Sequence, residues 1–218
     1  MPPRTVFLVD DHPLVREGLA NLIAREPDLV VCGQAADEAE ALAGIAATQP
    51  KAVVVDLTLQ GGSGLSLIKE IARRHPAIAV VVLTMHDEAL YAERTSRAGA
   101  RGYVMKQETT GRIVAALRSV LGGGTYWSDR ASALLEERAA ENRPAEELPA
   151  HALLSDRELE VFVLLGQGRE TREIAESLEI SFKTVQAYRA RIKEKLGLNN
   201  ATELLRAAIR FHENRLAP

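Results

Sequence analysis

Residues 4–12 read RTVFLVDDH, an apolar run over Thr5–Val9 that stops at two adjacent carboxylates, Asp10 and Asp11. A short β-branched and aromatic run of this kind has the composition of a buried strand. Two neighbouring aspartates repel each other unless a cation or a partner holds them, and an acidic surface loop is the plain alternative. What decides between the two is whether other carboxylates and a lysine reach the same edge of the fold.

Working outward, four more runs have strand character: LVVCGQA (29–35), AVVV (52–55), AVVVLT (79–84) and GYVM (102–105). Amphipathic stretches near 13–25, 37–48, 64–74, 88–98 and 110–121 alternate with them. Five βα units in succession predict a parallel sheet with helices on both faces. Right-handed crossovers then require the strand order to reverse, and ligands in such folds bind beyond the carboxyl ends of the strands at that reversal. At those ends stand Asp10 and Asp11, Asp56 in VVVDLTLQGGSG, Thr84 in VVLTMHDE and Lys106 in GYVMKQ. Taken singly, Lys106 reads as a surface lysine, Thr84 as a capping hydroxyl, and Gly61 and Gly62 as turn residues. Five polar residues at the ends of four strands are hard to obtain by chance. Three carboxylates and an ammonium around a shallow cleft suit Mg2+, which prefers oxygen ligands and keeps several waters, together with a seat for an anion. A carboxylate such as Asp56 can attack phosphorus to give an aspartyl phosphate, with Lys106 and the Thr84 hydroxyl holding the other oxygens.

A break follows. GGGTYWSDR (122–130) ends the fifth helix with three glycines, and residues 131–150 begin helical (ASALLEERAAE) and dissolve into NRPAEELPA, the composition of an interdomain linker. From Ser155 only helices are expected. SDRE (155–158) has the form of a capping box, GQG (166–168) stops that helix, and TREIAESLEI (171–180) is a second. SFKTVQAYRARIKEKLGL (181–198), with Ser181 as N-cap, is a third, and ATELLRAAIRF (201–211) a fourth. Two short helices joined by a tight turn, the second basic, form a helix-turn-helix. Lys183, Arg189, Arg191, Lys193 and Lys195 face only Glu194 on that second helix. A solvated basic face is the plain alternative.

Composition narrows the remaining classes. Residues 1–121 carry 13 Lys+Arg against 14 Asp+Glu, residues 122–150 carry 3 against 6, and residues 151–218 carry 11 against 10, so nucleic-acid binding must come from a local patch. The single cysteine, Cys32, excludes an internal disulfide and fits a reducing cytoplasm. With no basic-plus-apolar leader and no run of about 18 apolar residues, a soluble cytoplasmic protein without membrane contact is expected.

The segments VDDH, VVVDL, LT and YVMK, in this order and spacing, resemble the receiver domain of two-component response regulators over residues 1–121. The resemblance implies a five-stranded parallel, doubly wound, flavodoxin-like α/β fold. It implies that Asp56 accepts a phosphoryl group from a histidine kinase, that Asp10 and Asp11 hold Mg2+ with Asp56, and that Thr84 and Lys106 bind the phosphoryl group. Tyr103 matches an aromatic position that moves inward when the threonine engages phosphate, and a half-buried strand tyrosine is equally compatible. Gln60 stands where proline is frequent, and Thr58 where Met or Asn is frequent, a position that tunes dephosphorylation. Neither is a metal or phosphate ligand.

The stretch from Leu154 to Leu198 resembles the DNA-binding domain of LuxR-type regulators, through EIA, L-x-IS, TV and I-x-x-KLG, over roughly 154–211. It implies an all-α domain over 151–218 that places Lys183, Thr184, Gln186, Ala187, Tyr188, Arg189, Arg191 and Lys195 near the major groove of double-stranded DNA. Lysine is common where Gln186 stands and histidine where Tyr188 stands. Glutamine favours adenine over guanine, so the operator cannot be borrowed from relatives. Val185, Ile174, Leu178 and Leu196 are core in either reading. Receiver, linker (122–150) and LuxR-type helices together match the NarL/FixJ-like architecture, in which the last helix mediates dimerisation on promoter half-sites. Leu204, Leu205, Ala208 and Ile209 could supply that face or close the domain core.

Two other functions compete. A phosphohydrolase using Asp56 as nucleophile needs a second acid two residues on, and Thr58 cannot easily serve. A phosphate-blind receiver acting only as a dimerisation module is opposed by the intact Asp10, Asp11, Asp56, Thr84 and Lys106 set. The expectation is a non-enzymatic regulator with at most slow autodephosphorylation.

Overall fold

The run TVFLV becomes β1 (Arg4–Val9), and the chain proceeds through α1 (Pro13–Ile23), β2 (Leu29–Ala35), α2 (Glu38–Thr48) and β3 (Ala52–Val55). Two short strands, β4 (Thr58–Leu59) and β5 (Gly62–Ser63), precede α3 (Gly64–Arg74). They are followed by β6 (Ala79–Thr84), α4 (Glu88–Ala98), β7 (Gly102–Met105), a 3-10 turn (Lys106–Glu108), α5 (Thr109–Leu121) and α6 (Asp129–Ala140). This computed structural model describes residues 2–59, 62–140 and 153–216. Gln60, Gly61 and the Pro/Glu-rich stretch 141–150 lie outside the described residues. The chain divides into two compact units, Met1–Glu141 and Asn142–Pro218.

In the first unit, five parallel strands lie in the order β2-β1-β3-β6-β7, so the order reverses between β1 and β3. All five predicted strands are present, four of them with the expected bounds to the residue and β1 one residue longer at its start, with α-helices between them. The strand period puts Val6, Leu8, Val54, Val81 and Leu83 on one face, where α1 and α5 cover them with Leu19, Ile23, Ile113 and Leu117. Alternate residues such as Phe7, Val53 and Val82 are buried on the other face. Each such side chain contributes about 1.5–3 kcal/mol by leaving water, and near-complete burial on both faces is why these strands read as continuous apolar runs. Asp37 and Asp87 cap α2 and α4, accepting from the amides of Glu40 and Ala89, each at 2.9 Å. Helix α6, expected as the start of the linker, belongs to the first unit and buries Ala131. Ahead of it, Tyr126 forms a parallel bridge with Gly102 beside β7.

The second unit contains α7 (Asp156–Gly166), α8 (Thr171–Ser177), α9 (Phe182–Lys195) and α10 (Ala201–Leu216). The predicted capping box is formed: Glu158 N donates to Ser155 Oγ, and Ser155 N donates to Glu158 Oε2 at 2.7 Å. Ser181 caps α9, its Oγ accepting from Thr184 N at 3.0 Å. Gly166, read as part of a stop signal, is the last residue of α7, and a Cβ there would meet the Ala208 carbonyl oxygen at 2.4 Å. It is the point where α10 crosses closely. Ile174 and Val185 are fully buried and Leu178 and Leu196 partly so. Of the four α10 residues with two possible roles, Leu204 and Ala208 are buried in the core, whereas Leu205 is 41% exposed and Ile209 partly exposed. Among the described residues, no helix is long and apolar enough to cross a membrane.

Candidate functional site

Main-chain bonds align the strand ends that carry the acids. Asp10 N donates to Ala35 O of β2 at 3.2 Å, and Asp56 N donates to Val9 O of β1 at 2.9 Å. Asp10 and Asp11 therefore stand on one side of the strand-order reversal and Asp56 on the other. Gly64 opens α3 against the Asp56 segment: its amide donates to Leu57 O at 2.9 Å, and a Cβ on it would lie 1.9 Å from Asp56 O. Only glycine lets α3 approach that closely.

Lys106, just beyond β7, brings its ammonium to 2.6 Å from Asp56 Oδ2 and 2.7 Å from Asp10 Oδ2. Burial works against its charge, but the two carboxylates outweigh it and raise the lysine above its ordinary value. The remaining oxygens are only partly satisfied. Asp10 Oδ1 accepts from His12 N at 2.9 Å, and Asp56 Oδ1 accepts from Thr58 N at 3.2 Å. Asp11 Oδ1 is buried with no hydrogen bond of proper geometry, although His12 Nδ1 lies 2.6 Å away. Ligand atoms of Asp10, Asp11, His12 and Asp56 lie within 4.8 Å of one another. An oxygen-rich cluster with one unsatisfied buried carboxylate oxygen fits a hard divalent cation, and water can replace the exposed His12 imidazole in its shell. Arg16 donates to the Asp10 carbonyl, fixing this loop from α1.

Thr84 ends β6 fully buried, and the His86 amide points at its Oγ from 3.5 Å. Tyr103 is turned inward at 3% exposure, its hydroxyl donating to His86 O at 2.9 Å. Burial pushes its phenol well above the usual value. The His86 ring also pairs with Thr58 Oγ1 at 3.0 Å and lies beside Tyr91, ring centroids 4.8 Å apart. Thr58 and Thr84 are thus joined across the mouth of the acidic cleft through one histidine.

On α9, Lys183, Gln186, Ala187, Arg191 and Lys195 are exposed, while Thr184, Tyr188 and Arg189 are partly buried. Arg189 donates to Thr171 Oγ1, tying α9 to the start of α8. Lys195 reaches Glu158 Oε2 at 2.6 Å. Burial favours the neutral form of Glu158, but Lys195 and the Ser155 amide and hydroxyl prevail and hold its carboxyl below the ordinary value. The Arg191 guanidinium lies 6.0 Å from the Tyr188 ring centroid, at the limit of a cation–π contact.

Residues 6–118 match the family model described as response regulator receiver domain, and residues 152–208 match that of bacterial regulatory proteins, luxR family. The chain belongs to the NarL/FixJ-type response regulators. A relative, the oxygen regulatory protein NreC of Staphylococcus carnosus, is 32% identical over 209 residues, 94% of this chain and 96% of that protein. A LuxR-family response regulator from Aurantimonas sp. SI85-9A1 is 36% identical, with a TM-score of 0.58 over 64% of this chain and 99% of that one. RcsB from Salmonella enterica serovar Typhimurium, solved bound to promoter DNA with the phosphomimetic BeF3-, is 28% identical, with a TM-score of 0.57 over 93% and 96% of the two chains.

Response regulators of this class regulate transcription in a phosphorylation-dependent manner, and this chain has both parts that the task requires. Asp10, Asp11, Asp56 and Lys106 converge in one cluster, with Thr84 and Tyr103 linked to its rim through His86. Sequence reasoning missed His12 and His86. Both stand within the segments that drew attention, VDDH and LTMHDE, two residues from Asp10 and Thr84, but their contacts depend on the folded loops.

Proposed function

We propose that Asp56 is the phosphoacceptor of this response regulator and that a histidine kinase supplies the phosphoryl group. The observation that carries this reading is the Lys106 ammonium bridging Asp56 and Asp10 beside the unsatisfied Asp11 oxygen. An Asp56 carboxylate oxygen forms the new P–O bond, the P–N bond of the kinase phosphohistidine breaks, and the imidazole keeps the electron pair. Lys106 holds one phosphoryl oxygen and the Thr84 hydroxyl another, stabilising charge as it redistributes. Mg2+, held by Asp10, Asp11 and Asp56, supplies neutralising charge when bound. The acyl phosphate hydrolyses slowly at most, because no second acid stands at Thr58.

The receiver core spans 1–121, with α6 packed in the same unit, and its output passes to a DNA-binding domain over 151–218. There Lys183, Gln186, Ala187 and Arg191 face the major groove of promoter half-sites, with Thr184 and Tyr188 at their margin. Arg189 and Lys195 approach DNA from positions set by Thr171 and Glu158. The exposed Leu205 and partly exposed Ile209 of α10 suit a homodimer in the active state. One reduced cysteine and the absence of a membrane-spanning helix among the described residues accord with the cytoplasm. Incubation with acetyl phosphate and Mg2+, read by intact mass, tests the assignment. The wild type gains one phosphoryl mass and Asp56→Asn gains none; equal labelling of both removes Asp56 from its role.

A further inference from the structure

The carboxylates occupy one edge of the sheet; a cleft of about 330 Å³ opens at the other, amino-terminal edge. Arg4, Lys51 and Arg101 line it, over a floor that includes Ala79, Val120 and Leu121, and among the described residues no acidic one is in its lining. The topology brings these cations together. Arg4 is the first residue of β1, and Lys51 and Arg101 immediately precede β3 and β7. Parallel strands lie about 4.8 Å apart, so Lys51 and Arg101, two strands from each other, start roughly 10 Å apart. Two long side chains span that distance around one ligand.

Charge pairing elsewhere in the first unit sharpens the contrast. Arg73 and Arg74 hold Glu70, Arg97 holds Glu93, Arg112 holds Glu108, and Arg118 holds Glu26 and Asp28. Among the described residues, Lys51 and Arg101 have no carboxylate partner. Arg4 is anchored instead, donating to Leu121 O at 2.5 Å, which fixes its guanidinium at the rim. Arg4 also feels the Asp28 carboxylate, but Lys51 and Arg101 converge without one; like charges so placed repel, and a multiply charged anion removes that repulsion while making charge-assisted hydrogen bonds. The volume lies at the small end of ligand pockets.

We propose that this edge binds a small polyanion, a molecule carrying two or more phosphate or carboxylate groups, through Arg4, Lys51 and Arg101. It is a second anion site, about 17 Å from the first along the length of β1. Isothermal titration of the full chain in EDTA, with inorganic pyrophosphate in one arm and tricarballylate in the other, tests it and separates phosphate from carboxylate recognition. Saturable one-site binding of at least one probe is expected. Lys51→Ala and Arg101→Ala should each weaken it about tenfold with unchanged melting temperature, while a Lys183→Ala/Arg191→Ala control on α9 leaves it intact. Bound probe should also slow acetylation of Lys51 by an N-hydroxysuccinimide ester, read by mass spectrometry. No saturable binding of either probe, or binding lost only in the α9 control, or binding indifferent to Lys51 and Arg101, overturns the proposal.

Discussion

Replacing Lys106 by methionine keeps most of the side-chain stem and removes the charge that joins Asp56 to Asp10. The ammonium is 10% exposed and each carboxylate 3% exposed, at 2.6 and 2.7 Å. At an effective dielectric near 20, a close ion pair is worth about 4 kcal/mol, and desolvation of the ammonium returns several kcal/mol of that. Truncating one partner also leaves two buried carboxylates facing each other, so a net loss of about 3–5 kcal/mol is expected in metal-free protein. Trp127, the single tryptophan, reports urea unfolding of the first unit. Mg2+ stabilises the native state by mass action, and it should do so more in the variant, where it no longer competes with an ammonium for the same oxygens. The stability gap between wild type and Lys106→Met should therefore narrow under saturating Mg2+. An equal gap in EDTA and in Mg2+ would refute the idea that Lys106 and the ion share one set of carboxylates. The pH profile gives a second check. Because Lys106 is raised above its ordinary value of 10.5, its stabilisation is complete below that pH and is lost as pH climbs through the higher folded value, so the wild-type advantage disappears only in strong alkali.

Three further outcomes follow from particular contacts. Gly64→Ala forces a Cβ to 1.9 Å from the Asp56 carbonyl oxygen and 2.7 Å from Leu57 Cα, backbone atoms that cannot yield cheaply; we expect about 3 kcal/mol of destabilisation and slower acetyl-phosphate labelling. Glu158→Gln removes the charge that meets Lys195, and should cost about 1–2 kcal/mol in hydrogen-exchange protection of α7 and α9. Since the Glu158 carboxyl is depressed, its contribution is present above its ordinary value of 4.5 and lost as pH falls through the lower folded value, and the variant should not show that acid step. Lys183→Ala and Arg191→Ala should each lower the salt slope of DNA binding by about 1 without changing the selected operator, whereas Gln186→Ala should relax one base position by about 1–3 kcal/mol.

The strands and most helices were legible because complete burial on both sheet faces writes itself as unbroken Val/Ile/Leu runs, and helix caps write themselves as Asp or Ser at fixed offsets. Topology then converted that list into a site, since parallel strands send every C-terminal residue to one edge. The antiparallel pairing of β4 with β5 was not legible, because two-residue strands carry no period. His12 and His86 were not legible for a different reason: their roles come from contacts between loops, which no local pattern encodes.

The helix-turn-helix face shows where counting charges falls short. On sequence, α9 presents five cations against one acid. In the folded unit Lys195 is engaged with the buried Glu158, which also closes the capping box of α7, and Arg189 donates to Thr171 at the start of α8. Both tie the second helix of the motif to the helices behind it and fix the orientation at which Lys183, Gln186 and Arg191 are displayed. The charge directed outward is therefore smaller than the composition of α9 implies, and part of its basic character holds the recognition helix in place. Affinity for nonspecific DNA should accordingly respond most to Lys183 and Arg191, while loss of Lys195 or Arg189 should alter stability and binding together.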